Sequence, residues 1–151
     1  QLARVPNLRM FGCPDPEKTA NRLGVIPVVV EGMSHYLVAA ILGYEYGIGV
    51  RNGCFCAHPY LLNLLGVSED RAGWVRSSIL SHDRREVPGL VRISFGLYNE
   101  KEDVDVLVNA LLDIQKGKYK GKYSQDVRSG AFQPEGWDIR FEDYFRFSVS
   151  Q

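Results

Sequence analysis

The 151-residue chain predicts an α/β domain of the two-layer α+β kind, a small mixed sheet with helices on one face. Three observations carry this. Apolar segments follow one another with the periods strand, strand, helix, strand, helix, strand, helix. The run Leu23–Val30 is rich in β-branched residues. Val104, Leu107, Val108, Leu111 and Leu112 recur at helical spacing behind a polar, acidic lead. Hydrophobic residues make up 45% of the chain, enough for the core of one domain.

In order, residues 1–7 lead in, and Leu8–Phe11 predicts a short strand closed by Gly12. Pro14 and Pro16 forbid regular structure beside Cys13, which reads as a structural or bystander thiol. Leu23–Val30 is the second strand; Pro27, lacking an N–H, places it at an edge or a bulge. Ser34 suits a helix N-cap, and Leu37, Ala40, Ile41 and Tyr44 share one face of a helix ended by Gly47. His35 falls in its first turn, where a histidine is more often solvated or bonded to a neighbour than functional. Ile48-Gly49-Val50 predicts a strand that feeds the loop Arg51–Pro59. Pro59 suits the start of a helix whose apolar face is Tyr60, Leu61, Leu64 and Leu65, stopped at Gly66.

Ser68–Val87 is charge-rich and reads as an insertion or a short helix plus loop, pinned by Trp74 and Ile79, with Arg84 and Arg85 solvated. After the turn Pro88-Gly89, Leu90–Phe95 is a strand with Arg92 inside its apolar run. A guanidinium there needs a partner, either a core carboxylate or a bound anion. Asn99 and Glu102 have capping-box spacing ahead of the long helix, which ends at Lys116-Gly117. Beyond it Lys118, Lys120 and Lys122 interleave with Tyr119 and Tyr123, and a turn-rich stretch runs to Trp137; this predicts a solvated connector. Ile139, Phe141, Phe145, Phe147 and Val149 then alternate like a strand. Residues 1–117 thus form the domain, and 118–151 an extension of unknown role.

Acidic and basic residues balance at 18 each, so charge makes no case for nucleic acid or an anionic membrane surface as partner. No apolar run approaches a membrane span, and no signal-peptide pattern opens the chain. Three cysteines, two of them one residue apart, are no disulfide framework and favour a reducing, cytoplasmic setting. The chain opens on Gln rather than Met, which suggests a piece of something longer.

The loop Arg51-Asn52-Gly53-Cys54-Phe55-Cys56-Ala57-His58-Pro59 concentrates the chemistry. A helix starting just after Cys56, with Arg51 nearby, favours a thiolate over a thiol. The competing reading is a tight loop with two buried thiols. A metal or redox module built on Cys54 and Cys56, with His58 as a further ligand, lacks the second ligand pair of a zinc site.

Gly47–Pro59 resembles the corresponding loop of class V aminotransferase-fold enzymes, which depend on pyridoxal phosphate. The cysteine desulfurase and selenocysteine lyase branch carries Arg-x-Gly-x-x-Cys-Ala-x-Pro, matched by Arg51, Gly53, Cys56, Ala57 and Pro59. Val91–Asn99 resembles the same enzymes' Arg-containing strand that ends in Tyr-Asn before an acidic helix. The resemblance covers residues 1–117. It implies the small C-terminal domain of a fold-type I enzyme, with a largely antiparallel sheet. The Schiff-base lysine and most of the cofactor site would lie outside this chain, so no residue here is expected to bind cofactor or metal. Cys56 would be the nucleophile that takes sulfur from L-cysteine as a persulfide and leaves alanine. Arg92 would clamp the substrate carboxylate, and Arg51 would shape the loop or assist; Cys54, His58 and His35 are secondary candidates. The branch usually has two histidines at Cys54-Phe55, and Gly-Cys-Phe-Cys is similar instead to sulfurases of the molybdenum cofactor, which lack the following Ala-His-Pro. Implied partners are an amino-acid substrate, a sulfur-acceptor protein and a second copy of the parent enzyme. The alternatives are a class V aminotransferase or epimerase that does not need Cys56, and a non-catalytic docking domain.

Overall fold

The computed structural model describes residues 1–13, 15, 17, 18, 23–138 and 140. The alternating segment from Ile139 to Val149 lies outside them, apart from Arg140. A 3-10 turn at Leu2–Arg4 leads into β1 (Leu8–Met10) and β2 (Val25–Val30). Then follow α1 (His35–Tyr46), β3 (Arg51–Gly53), α2 (His58–Leu64), α3 (Glu69–Leu80), β4 (Leu90–Ser94) and α4 (Lys101–Gln115). The four strands form one sheet in the order β1-β2-β4-β3, and every pairing is antiparallel.

Strand alternation divides the apolar residues between two faces. Val28, Val30, Val91 and Ile93 meet Val38, Ile41 and Leu42 of α1 and Leu107, Leu111 and Ile114 of α4 in the main core. Burying each such side chain contributes about 1.5–3 kcal/mol. The opposite parity supplies a second, smaller core: Val29 and Leu90 pack with Leu61 of α2, Val75 of α3, Cys54 and Val87. α2 and α3 therefore cover one end of the second face and leave the other end open.

Several local expectations shift, each for a tertiary reason. Pro27 is neither at an edge nor in a bulge: β2 lies between β1 and β4 with unbroken register. Its carbonyl accepts from the Phe11 N–H at 3.0 Å, so its ring nitrogen also faces the β1 side, where that ladder runs out, and the β4 ladder loses no donor. α1 buries Val38, Ile41 and Leu42, while Tyr44 is exposed and packs against Trp137 with ring centroids 5.1 Å apart. The helix is apolar around most of its girth, so period alone does not select a face. The strand expected at Ile48–Val50 forms three residues later, where the chain reaches the free edge of β4; Ile48 and Val50 pack on the core unpaired. Ser68–Val87 holds a full helix, with the Ser68 Oγ accepting from the Arg71 N–H. It is anchored by Val75 and, as expected, Ile79, while Trp74 is exposed under the Arg71 guanidinium. The cap of α4 sits one residue later than its spacing implied: Asp103 Oδ2 accepts from the Glu100 N–H, while Asn99 Oδ1 takes the Gly96 N–H.

The solvated connector is overturned most clearly. Tyr123–Gln125 and Phe132–Pro134 form an antiparallel hairpin, β5-β6, docked on α1. Glu45, near the end of α1, accepts from the Lys120 and Gly121 N–H groups at 2.9 Å each and from the Tyr123 hydroxyl at 2.8 Å. Burial alone would raise the Glu45 carboxyl, but these three bonds outweigh it and hold the group below its usual range. Among the described residues no helix is long and apolar enough to cross a membrane.

Because one carboxylate gathers three donors, Glu45→Ala is expected to destabilise the chain by about 1–3 kcal/mol. It should also strip hydrogen-exchange protection from the Lys120 and Gly121 amides, and unchanged protection there would show that Glu45 does not hold the hairpin.

Candidate active site

β4 is a central strand, and side-chain alternation decides what it offers. Val91 and Ile93 point into the main core. Leu90 and Arg92 point to the other face, Leu90 into the second core and Arg92 toward its open end. Arg92 is flanked in register by Pro27 of β2 and Arg51 of β3. Two guanidinium-bearing residues thus face each other directly across strands, an arrangement disfavoured by like-charge repulsion unless an anion joins them. The core salt bridge considered for Arg92 is not formed. The ion pairs among the described residues are Arg9–Glu31, Lys18–Asp15, Arg71–Glu86 and Arg85–Asp83, and none involves Arg51 or Arg92. The Arg92 Nε is buried without a hydrogen-bond partner, and its Cζ lies 5.2 Å from the centroid of the Phe55 ring.

β3 runs straight into the thiol-bearing turn. The Ala57 N–H donates to the Cys54 carbonyl at 2.8 Å and closes a four-residue turn. Phe55 and Cys56 at its centre have φ of 51° and 62°. Left-handed backbone at a non-glycine residue costs about 1–2 kcal/mol, so this pair needs support from its surroundings. Cys54 supplies part of it: the side chain is buried, and its thiol donates to the Pro88 carbonyl at 3.0 Å. Burial pushes the Cys54 thiol up, which keeps it protonated. Cys56 is exposed. The structure therefore separates the two thiols, with Cys54 as a strut and Cys56 presented to solvent.

His35, in the first turn of α1, is buried and its Nε2–H donates to the Val87 carbonyl at 2.9 Å. Its Nδ1 is buried without a partner. Gly89 lies so close that a Cβ there would stand 2.5 Å from His35 Nε2 and 2.8 Å from Gly53 Cα. The segment Val87-Pro88-Gly89 is thus held by His35 and Cys54 together, and Asn52 Nδ2 adds a bond to the His35 carbonyl at 3.4 Å. His35 joins the loop to β4 and does not reach the open face. His58 begins α2, exposed, on the rim of the groove between α2 and α3. A cleft of about 560 Å³ opens beside the turn, lined by Phe11, Pro27, Cys54, Phe55, Tyr60 and Leu61 among others. Among the described residues no three His, Cys, Asp or Glu side chains gather as a metal ion would require.

Sequence reasoning singled out Cys56, Arg51 and Arg92, but it left Arg51 in the loop rather than in β3 opposite Arg92, and it passed over Phe55. Its signal was its place: a large aromatic side chain set in a turn between the two thiols.

Fold and site define a class: a small antiparallel α/β domain that presents an exposed thiol and two arginines in cross-strand register, neither in an ion pair among the described residues. Residues 1–107 match the family model described as aminotransferase class-V, and the chain belongs to that family. It is 34% identical over 116 residues to a cysteine desulfurase of Escherichia coli O127:H6, covering 77% of this chain and 22% of that protein. It is 36% identical over 110 residues to the cysteine desulfurase CsdA of Escherichia coli K12, covering 73% and 20%. The apo structure of a cysteine desulfurase from Thermococcus onnurineus NA1 superposes with a TM-score of 0.52 at 28% identity, over 73% of this chain and 21% of that one. The chain thus spans about a fifth of the length of the relatives it matches.

The buried His35 makes stability depend on pH. Burial lowers its pKa below 6.5, against a smaller opposite pull from the Val87 carbonyl. The unfolded chain therefore takes up the proton first. Stability is full above about pH 6.5 and declines as pH falls from there toward the lower folded value. The melting temperature is expected to drop between about pH 7.5 and 5.5, and His35→Gln, which keeps a donor for Val87, should flatten that drop.

Proposed function

We propose that this chain is part of a pyridoxal phosphate-dependent cysteine desulfurase, which converts L-cysteine to L-alanine and holds the sulfur as a persulfide on Cys56. The observation that carries the reading is the exposed thiol of Cys56 on a strained turn whose preceding residue touches the unpaired guanidinium of Arg92. Membership of the aminotransferase class-V family and the cysteine desulfurases among its relatives support it.

In this reading Arg92, with Arg51 beside it, binds the substrate carboxylate by paired charge-assisted hydrogen bonds. The Cys56 thiolate forms an S–S bond to the substrate sulfur as the substrate's C–S bond breaks. The electron pair leaves with the carbon, which is protonated and released in alanine. Cys54, buried and protonated, keeps the turn in shape. Pyridoxal phosphate, when bound, supplies the electron sink for the amino acid. The described residues fit the substrate side of such a site, not the cofactor's seat. All six lysines, Lys18, Lys101, Lys116, Lys118, Lys120 and Lys122, are exposed, whereas a Schiff-base amine is tuned by desolvation. The cofactor lysine is therefore assigned to another part of the parent protein, and this chain alone is expected to be inactive. A homodimeric, cytoplasmic parent that passes sulfur from the exposed Cys56 to an acceptor protein completes the proposal.

The test uses the parent protein reconstituted with pyridoxal phosphate and given L-cysteine. Alanine should appear together with a persulfide that maps to Cys56. Cys56→Ser should abolish both, Cys54→Ser should retain both because a hydroxyl can still donate to Pro88, and Arg92→Ala should raise KM roughly tenfold or more. Alanine-free, unmodified enzyme with cofactor bound would sink the desulfurase reading. Survival of the enzyme's activity in Cys56→Ser would point to a class-V aminotransferase or epimerase.

A further inference from the structure

We propose that Phe55 is the positioning residue of the Arg92 clamp, and that its ring tunes the site toward substrates that carry a carboxylate. The proposal rests on the reading of Arg92 as the carboxylate-binding residue and deepens it.

A guanidinium carries five N–H donors and, on an open sheet face without an acceptor, has no reason to hold one orientation. Arg92 nevertheless has its Nε buried and unbonded. Its strand neighbours cannot hold that nitrogen by hydrogen bonds: Pro27 offers no side-chain acceptor, and Arg51 is another cation. The Phe55 ring, 5.2 Å from Arg92 Cζ, can cover it. The face of an aromatic ring attracts a cation yet provides no lone pair, so it holds the group in place without consuming a donor. With Nε–H shut off from water, the Nη groups are left as the donors for a ligand.

The backbone shows that this placement is built. Phe55 sits at φ 51°, in a region a bulky side chain normally avoids, and the neighbouring Cys56 is at 62°. Cys54 pins the turn to the Pro88 carbonyl, and the Ala57 N–H closes it. The Phe55 side chain also packs against the cluster that contains Leu61 and Leu90. Phe55 thus stands between an apolar core and a cation, one residue from the exposed thiol. Displacing the turn that carries Cys56 also takes the ring off Arg92, so nucleophile and clamp are placed together.

The experiment measures binding of L-alanine and of ethylamine, its carboxylate-free counterpart, to the cofactor-loaded parent protein by calorimetry. Phe55→Leu keeps apolar bulk and loses the π-face. It should weaken L-alanine roughly two- to five-fold and leave ethylamine unchanged. Phe55→Tyr should bind both like the unsubstituted protein, which controls for a turn that fails to form in Phe55→Leu. In an Arg92→Ala background, Phe55→Leu should have no further effect on L-alanine. Equal weakening of both ligands, the same loss with Arg92 absent, or no preference for L-alanine over ethylamine before substitution would each overturn the inference. The readout needs no turnover: failure to release alanine from L-cysteine sinks the desulfurase activity alone, while the comparison of carboxylate with amine still decides the role of Phe55.

Discussion

Two side-chain hydrogen bonds, from His35 to the Val87 carbonyl and from Cys54 to the Pro88 carbonyl, join parts of the chain far apart in sequence. The segment they hold delivers the chain from α3 into β4, and the residues that hold it belong to α1 and to the thiol-bearing turn. Gly89 permits the approach, since a side chain there would strike both His35 and the backbone of Gly53. Together with the direct pairing of β3 and β4, this clasp fixes the segment beside which Arg51 and Arg92 stand in register. The cost is an unsatisfied, buried Nδ1 on His35, of order 1–3 kcal/mol, offset by the packing that buries it.

The site built on this clasp concentrates unfavourable terms. Two arginines oppose each other with no ion pair among the described residues, one guanidinium nitrogen is buried unbonded, and two successive residues hold left-handed backbone. An ordinary surface would relax all three. Their coincidence at the open end of one sheet face is the observation on which the proposed anion and thiol site rests, because a ligand would relieve the charge term while the scaffold sustains the strain.

The hairpin after α4 follows a different logic. It is held by one carboxylate on α1, by the Val127 carbonyl accepting from the Arg84 N–H, and by Gln125 Nε2 donating to the Arg85 carbonyl. These bonds lie away from the arginine pair. The hairpin extends the covering of α1, so that the helix packs against the sheet on one side and meets Trp137 on the other.

Local rules made much of this chain legible: the strands at Leu8, Val25 and Leu90, the α1 cap at Ser34 and the long amphipathic helix, while Cys56 and Arg92 were singled out as candidates through motif order and not through composition. Each reflects information stored within one turn of helix or one strand. What stayed hidden was non-local. Pro27 in a central strand, β3 displaced onto Arg51–Gly53, the choice of buried face on α1 and the hairpin captured by Glu45 all depend on partners dozens of residues away. The sequence by itself determined the long helices and most of the core strands, and which side chains could do chemistry, because propensity and periodicity act over a few residues. Only the tertiary structure decided which thiol is buried and which presented, that Arg92 meets the Phe55 ring, and that His35 is a clasp. Burial and hydrogen-bond partnership are properties of the packed chain, and no short stretch of it carries them alone.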